Sequence, residues 1–141
     1  AKNLVHLGLV GSGHAVKAVN NTLLAANILC VAEAMITLKS FDVPLEKALS
    51  AINTSSGRSW VSQQRFPDHV LSRTFDYGFS FGLHCKDVST FEEMINDHGL
   101  EPSILKNILK ALQDAKIQLA PDADHLEVIK IIEDKSGITI Q

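Results

Sequence analysis

The sequence predicts an all-α domain built around one long central helix, and three observations carry that reading. Residues 12–40 contain no proline, and no glycine after Gly13, in a stretch dominated by alanine and leucine. Later segments repeat apolar residues at helical spacing between proline and glycine stops. Only residues 4–10 (LVHLGLV) and 137–140 have strand character, being short and partly β-branched, and that is too little for a sheet.

The elements follow in order. A helix over residues 12–40 spans about 40 Å, the width of a small domain. Apolar residues surround it on most sides, so it should run through the middle of the fold. Cys30 falls inside this run and reads as a small core residue. A second helix starts after Asp42, with Pro44 near its first turn and Glu46 following, and ends near Asn53. NTSSG at residues 53–57 is a loop by composition. A third helix covers residues 59–71, and residues 73–77 are irregular. Residues 79–97 form a further helix closed by His98 and Gly99. Pro102 opens a run to residue 119 with Ile104, Leu105, Ile108, Leu112, Ala115 and Leu119 on one face. The last helix, over residues 122–135, carries Leu126, Ile129 and Ile132 and stops at Gly137.

With 141 residues and 45% hydrophobic composition, the chain suits one domain with one core. A net charge of −3 provides no basic field for a nucleic-acid backbone. Residues 22–38 are short for a bilayer span and carry Asn27 and Glu33, so a helix buried in protein is expected rather than a membrane segment. Cys30 and Cys85 lie far apart, with no CxxC spacing and no secretory leader, which points to a reduced, cytoplasmic protein. The chain opens at Ala1 without a methionine and reads as a fragment or a processed product.

The segment GLVGSGHAVKAVNN nearly spells a dinucleotide-binding fingerprint. The third glycine position is Val16, however, and no second strand follows the helix, so a Rossmann domain cannot be built from this chain. The glycines read instead as a tight turn into a long helix, with Gly13 allowing close approach of a backbone or ligand. Lys17 and Asn21, at i and i+4, share one helical face one turn from the start. Lysine has an ordinary pKa of ~10.4, so base catalysis near neutrality needs help from burial or from the positive end of a helix dipole. Asn20 and Asn21 supply amides able to hold a carboxylate or hydroxyl. On spacing alone, a surface lysine beside locally capping asparagines is the commoner arrangement.

The run HLGLVGSGHAVKAVNNTLLAANILCVAEAM resembles the start of the C-terminal helical domain of β-hydroxyacid dehydrogenases, the 3-hydroxyisobutyrate dehydrogenase-like family. That family's G-x-x-G-x-G-x-x-x-K-x-x-N-N motif reads here as Gly8, Gly11, Gly13, Lys17, Asn20 and Asn21. Its later K-D motif reads as Lys86 and Asp87 in FSFGLHCKDVSTF, about seventy residues on. The resemblance covers nearly the whole chain. It implies the all-α fold of the 6-phosphogluconate/3-hydroxyisobutyrate dehydrogenase helical domain over residues 11–141. Residues 1–10 would be the trailing end of a missing Rossmann domain. It implies NAD or NADP, held mainly by that other domain, a small hydroxy-acid substrate, and a homodimer or higher oligomer formed through the helical domain. Lys17 would be the catalytic base, Gly13, Asn20 and Asn21 would bind substrate, and Lys86 and Phe79 would face the cofactor.

Some residues depart from the pattern or add to it. His14 stands where the family often has glutamine. Ser56, Gly57 and Ser59 either line the substrate pocket or form an ordinary loop. Arg58 and Arg65 could meet an anionic substrate, although solvated surface arginines are commoner. His84 beside Cys85 lacks further ligands at metal spacing, so no metal is expected. The competing function is a helical oligomerisation module without chemistry, which would need neither Lys17 nor Lys86.

Overall fold

A computed structural model describes residues 5–141. It is helical, with α1 (Ser12–Ser40), α2 (Leu45–Asn53), a π-helix (Val61–Leu71), α3 (Phe81–Asp97), α4 (Ser103–Ala115), a 3₁₀ turn (His125–Glu127) and α5 (Val128–Ser136). The expected strand at residues 4–10 is not one. Residue 4, like residues 1–3, lies outside the described residues, and residues 5–10 form coil, bend and turn leading into Gly11 at φ 97°. Residues 137–140 are not a strand either; among the described residues the nearest thing to a sheet is one bridge between Ser80 and Asp124. A lone strand has no neighbour to satisfy its backbone, so apolar composition alone could not make one.

Helix α1 is the hub. The π-helix and α2, α3, α4 and α5 all pack on it, and Ala18, Ala25, Ile28, Ala32 and Met35 are sealed. By length and composition α1 could cross a membrane. Its inward stripe is instead covered by α2, α3, α4 and α5. The burial is one-sided, and here the expected picture needs correcting: Cys30 is exposed on the outer face, with Val16, Leu23 and Thr37 at seven-residue intervals along it. After α1, Asp42 takes a left-handed conformation at φ 58°, its N–H and that of Val43 returning to the carbonyls of Lys39 and Leu38. That is the ordinary way for a helix to satisfy its last carbonyls before turning back.

Helix α4 ends at Ala115, four residues short of the expected boundary, and residues 116–118 continue as turns. Leu105, Ile108, Leu109, Leu112 and Ala115 face the core, but Ile104 is 75% exposed. Helix α3 stops where expected. Gly99 takes φ 61°, which lets the Leu100 N–H reach the Ile95 carbonyl at 2.8 Å. Near the other end of α3 the backbones run very close: a Cβ on Gly82 would lie 2.9 Å from the Pro121 carbonyl oxygen, so only glycine fits there.

Residues 61–71 form a π-helix rather than the expected α-helix, with Pro67 inside it. Proline has no N–H to donate to the carbonyl five residues back, that of Ser62. Asn53 repairs the loss: its Nδ2 donates to the Ser62 carbonyl at 3.0 Å while Ser62 Oγ donates to Asn53 Oδ1 at 2.7 Å. The irregular stretch after it is pinned by Arg73, at φ 62°, whose guanidinium forks onto Glu133 of α5 at 2.5 and 3.0 Å. Glu133 is otherwise buried and also accepts the Ile140 N–H. These ties fix the approach to α3, and α3 carries half of the site.

Candidate active site

Lys17 and Asn21 leave α1 on the same face because four residues make just over one turn. Helix α3 packs across that face and delivers Asp87 between them. Lys17 Nζ lies 2.7 Å from Asp87 Oδ1, and Asn21 Nδ2 donates to Oδ2 at 2.6 Å. One carboxylate therefore fixes both side chains, using an oxygen for each. The Lys17 side chain is 62% exposed and that of Asp87 21%. Lys17 is thus anchored at its tip but open to anything approaching from outside, and the expected partial burial is not supplied by this chain's described residues.

Behind Asn21 sits His84, fully buried on α3, whose Nε2–H donates to the Asn21 carbonyl at 2.9 Å. A carbonyl can only accept, so the proton is on Nε2 and Nδ1 is left without a partner. His84 packs against Phe79 and His125 with ring centroids 5.3 and 5.5 Å away. His125 is completely buried, and its Nδ1 lies 3.1 Å from the Phe79 carbonyl. Burial, reinforced by His84, pushes His125 down to about 4, and burial lowers His84 too. Both imidazoles are neutral at neutral pH, so His125 beside Asp124 is not an ion pair there. Together they form a rigid aromatic wall that sets the height of Asn21.

Arg65 completes this wall from the π-helix. Its guanidinium lies 4.1 Å above the Tyr77 ring, and the residue is only 7% exposed. Burial pulls Arg65 down from its ordinary value, opposed by nearby Tyr77 and Asp124. An arginine keeps its charge even so. This overturns the reading of Arg65 as a solvated surface residue; Arg58 is exposed.

The remaining candidates are placed as follows. Asn20 is exposed, and its Nδ2 lies 3.4 Å from Asn21 Oδ1. Gly13 is exposed in the first turn of α1, with open space where a Cβ would stand. Lys86 is exposed one residue from Asp87; its carbonyl accepts from Ser89 and Thr90, while its ammonium has no partner among the described residues. Phe79 is half-buried in the imidazole wall. Ser59 bonds to Ser62 and belongs to the Asn53 network, whereas Ser56 and Gly57 are exposed loop residues. Among the described residues no three His, Cys, Asp or Glu are placed to hold a metal. Sequence reasoning quoted Asp87 but gave it no role; its place beside Lys86 in the second motif was the available signal.

A family model described as NAD-binding of NADP-dependent 3-hydroxyisobutyrate dehydrogenase matches residues 11–132. The chain belongs to the 3-hydroxyisobutyrate dehydrogenase-like family. Members of this oxidoreductase family use NAD(P). The chain is 27% identical over 139 residues to 2-(hydroxymethyl)glutarate dehydrogenase of Eubacterium barkeri, covering 99% of this chain and 46% of that one. It is 33% identical over 112 residues to the probable mitochondrial 3-hydroxyisobutyrate dehydrogenase of Dictyostelium discoideum, covering 75% and 35%. The chain thus spans less than half the length of these relatives. Mycobacterium tuberculosis 3-hydroxyisobutyrate dehydrogenase with L-serine superposes with a TM-score of 0.85 at 22% identity, over 94% of this chain and 47% of that one. That likeness shows the shared helical fold, as expected for this family's helical domain.

Proposed function

We propose that this chain is the catalytic helical half of a two-part NAD(P)-dependent dehydrogenase that oxidises a small 3-hydroxy carboxylic acid. The observation that carries the reading is Asp87 holding Lys17 and Asn21 together at an open surface. Asn21 has one amide hydrogen left beside the one given to Asp87 for a substrate oxygen, and Lys17 Nζ, once it has released a proton to solvent and stands as the neutral amine, sits one turn away to take the proton of the hydroxyl as C–H bond breaking proceeds. Asp87 then balances the positive charge that Lys17 carries after taking it. A nicotinamide nucleotide, when bound, supplies the hydride acceptor. The residues fit such a group on the α3 side: Lys86 is a cation with no partner among the described residues there, and Leu83, one turn before it, is apolar and 58% exposed. Residues 1–10 fit the trailing end of a cofactor-binding domain, and residues 11–141 the helical domain.

In this reading only half of the cleft is present, so the 141-residue chain alone should oxidise no 3-hydroxy acid with NAD or NADP. Nicotinamide reduction followed by absorbance would reveal any such activity, and its appearance would overturn the two-part arrangement.

The oligomerisation reading has its own support and is compatible with the first. Val16, Leu23 and Cys30 recur every seven residues on the uncovered face of α1, with Phe41 75% exposed just beyond its end. Such a seam suits a second copy of the helix. The chain should therefore be a dimer or larger by sedimentation at micromolar concentration. A monomer carrying this bare seam would remove the module reading.

A further inference from the structure

Three side-chain atoms among the described residues are buried without a hydrogen bond: Arg65 Nε, His84 Nδ1 and His125 Nε2. All three belong to one cluster. The His84 and His125 rings meet at a centroid distance of 5.5 Å, Tyr77 stands 5.4 Å from His125, and the Arg65 guanidinium lies 4.1 Å over Tyr77. Arg65 is near enough for its charge to act on both imidazoles. The three residues are 7%, 1% and 0% exposed, so bulk solvent does not serve them. A buried polar atom left unbonded keeps its full desolvation penalty, and three in one place call for a shared partner.

What each atom needs is fixed by what its residue already does. Burial keeps both rings neutral. His84 Nε2–H donates to the Asn21 carbonyl, so Nδ1 is a lone pair able to accept. His125 Nδ1 faces two acceptors, the Phe79 carbonyl and Asp124 Oδ1, each at 3.1 Å. It therefore carries the hydrogen, and Nε2 is the second lone pair. Arg65 Nε–H can only donate. The shared partner must accept once and donate twice. An anion has no hydrogens for the imidazoles, and a metal ion or an ammonium group has no lone pair for the guanidinium. A hydroxyl group donates only once. Water meets all three demands, and a buried water ordinarily makes about three such bonds.

We propose that Arg65, His84 and His125 hold one buried water, which joins the π-helix and the 3₁₀ turn to α3 and makes Arg65 a positioning residue for Asn21. The hydrogens then run in one direction: Arg65 Nε–H to the water, the water to His84 Nδ1, His84 Nε2–H to the Asn21 carbonyl. Each donor in such a chain polarises the next, and a cation stands at its head. The grip on Asn21 is thereby firmer than that of an isolated imidazole. The water itself requires no substrate or cofactor; the positioning role rests on the dehydrogenase reading, in which Asn21 meets substrate.

The test begins with the 141-residue chain. High-resolution diffraction should place one solvent oxygen about 2.7 to 3.2 Å from all three nitrogens. In solution, magnetisation should pass from water to the His84 and His125 ring hydrogens. Arg65→Met puts a methyl group where Nε stood, so the water signal at His84 should be lost and the Nδ1 resonance should shift toward that of a free pyridine-type nitrogen. Arg65→Gln, whose amide nitrogen occupies the Nε place along the side chain, should restore both. In the intact dehydrogenase, Arg65→Met should lower kcat/KM about tenfold, the scale of one hydrogen bond, and Arg65→Gln should recover most of it. Should Arg65→Met not fold, the parent's solvent oxygen and the Arg65→Gln variant still decide. A direct bond from Arg65 Nε to an imidazole, an ion in place of the solvent oxygen, or no solvent oxygen there overturns the proposal. An unchanged kcat/KM in Arg65→Met overturns the positioning role. If no 3-hydroxy acid is oxidised while the water is seen and depends on Arg65, the dehydrogenase reading falls and the water site stands.

Discussion

Lys17→Arg in the intact dehydrogenase should lower kcat by about 10² to 10⁴, nearly as much as Lys17→Ala, because a positioned proton acceptor contributes on that scale. Arginine preserves the charge and can preserve the contact with Asp87, but a guanidinium stays protonated at any working pH and accepts nothing. The comparison that decides is Lys86→Arg. Lys86 has no partner among the described residues and is asked only to be a cation, so its arginine variant should keep the rising limb of kcat/KM with pH. Lys17→Arg should lose that limb. Asp87→Asn should fall between them: its amide can still meet Asn21, but it no longer balances a cationic Lys17, so kcat and KM should both change. A Lys17→Arg enzyme with normal kcat and an intact limb would take Lys17 out of the chemistry.

The second large effect is acid destabilisation through the imidazole wall. His125 titrates near 4 when folded and near its ordinary 6.5 when unfolded. Between those values the unfolded chain takes up a proton that the folded chain refuses, so stability falls as pH falls. The loss reaches about 2 kcal/mol by pH 5 and about 3 kcal/mol below pH 4. His84 moves in the same direction and adds to it. Urea unfolding at pH 7.5 and pH 5 measures the difference while most carboxylates remain ionised. His125→Phe should flatten the dependence. The aromatic contacts to Phe79 and Tyr77 are retained, and the Phe79 carbonyl keeps the backbone N–H of residue 125 at 2.8 Å. Equal stability at the two pH values in the parent chain would contradict a buried, neutral His125.

Much of this was written locally. The bounds of α1, the break at Asp42–Pro44 and the Gly99 stop follow from propensity and capping, which act within a few residues. Lys17 and Asn21 were legible for the same reason, since helical spacing alone puts them side by side. Asp87 was not: its role exists only because α3 crosses α1 at that height, joining residues seventy apart. Arg65 was misread in the same way, because nothing in QQRFPDHV shows that Tyr77 will cover it. Cys30 was assigned to the core because an apolar run does not say which of its faces is left bare. The strand character of residues 4–10 came from composition, which does not supply the neighbouring strand that a ladder requires.

The widened helix at residues 61–71 makes chain length, more than chemistry, the variable that aims Arg65. Each residue removed from a helix rotates everything beyond it about the axis, by about 100° per residue where the turn relaxes to the α form. A one-residue deletion near Gln63 would keep Arg65 in the chain and still swing its guanidinium off Tyr77. A compensating insertion a few positions later would restore the loop to α3 without returning Arg65 to its place.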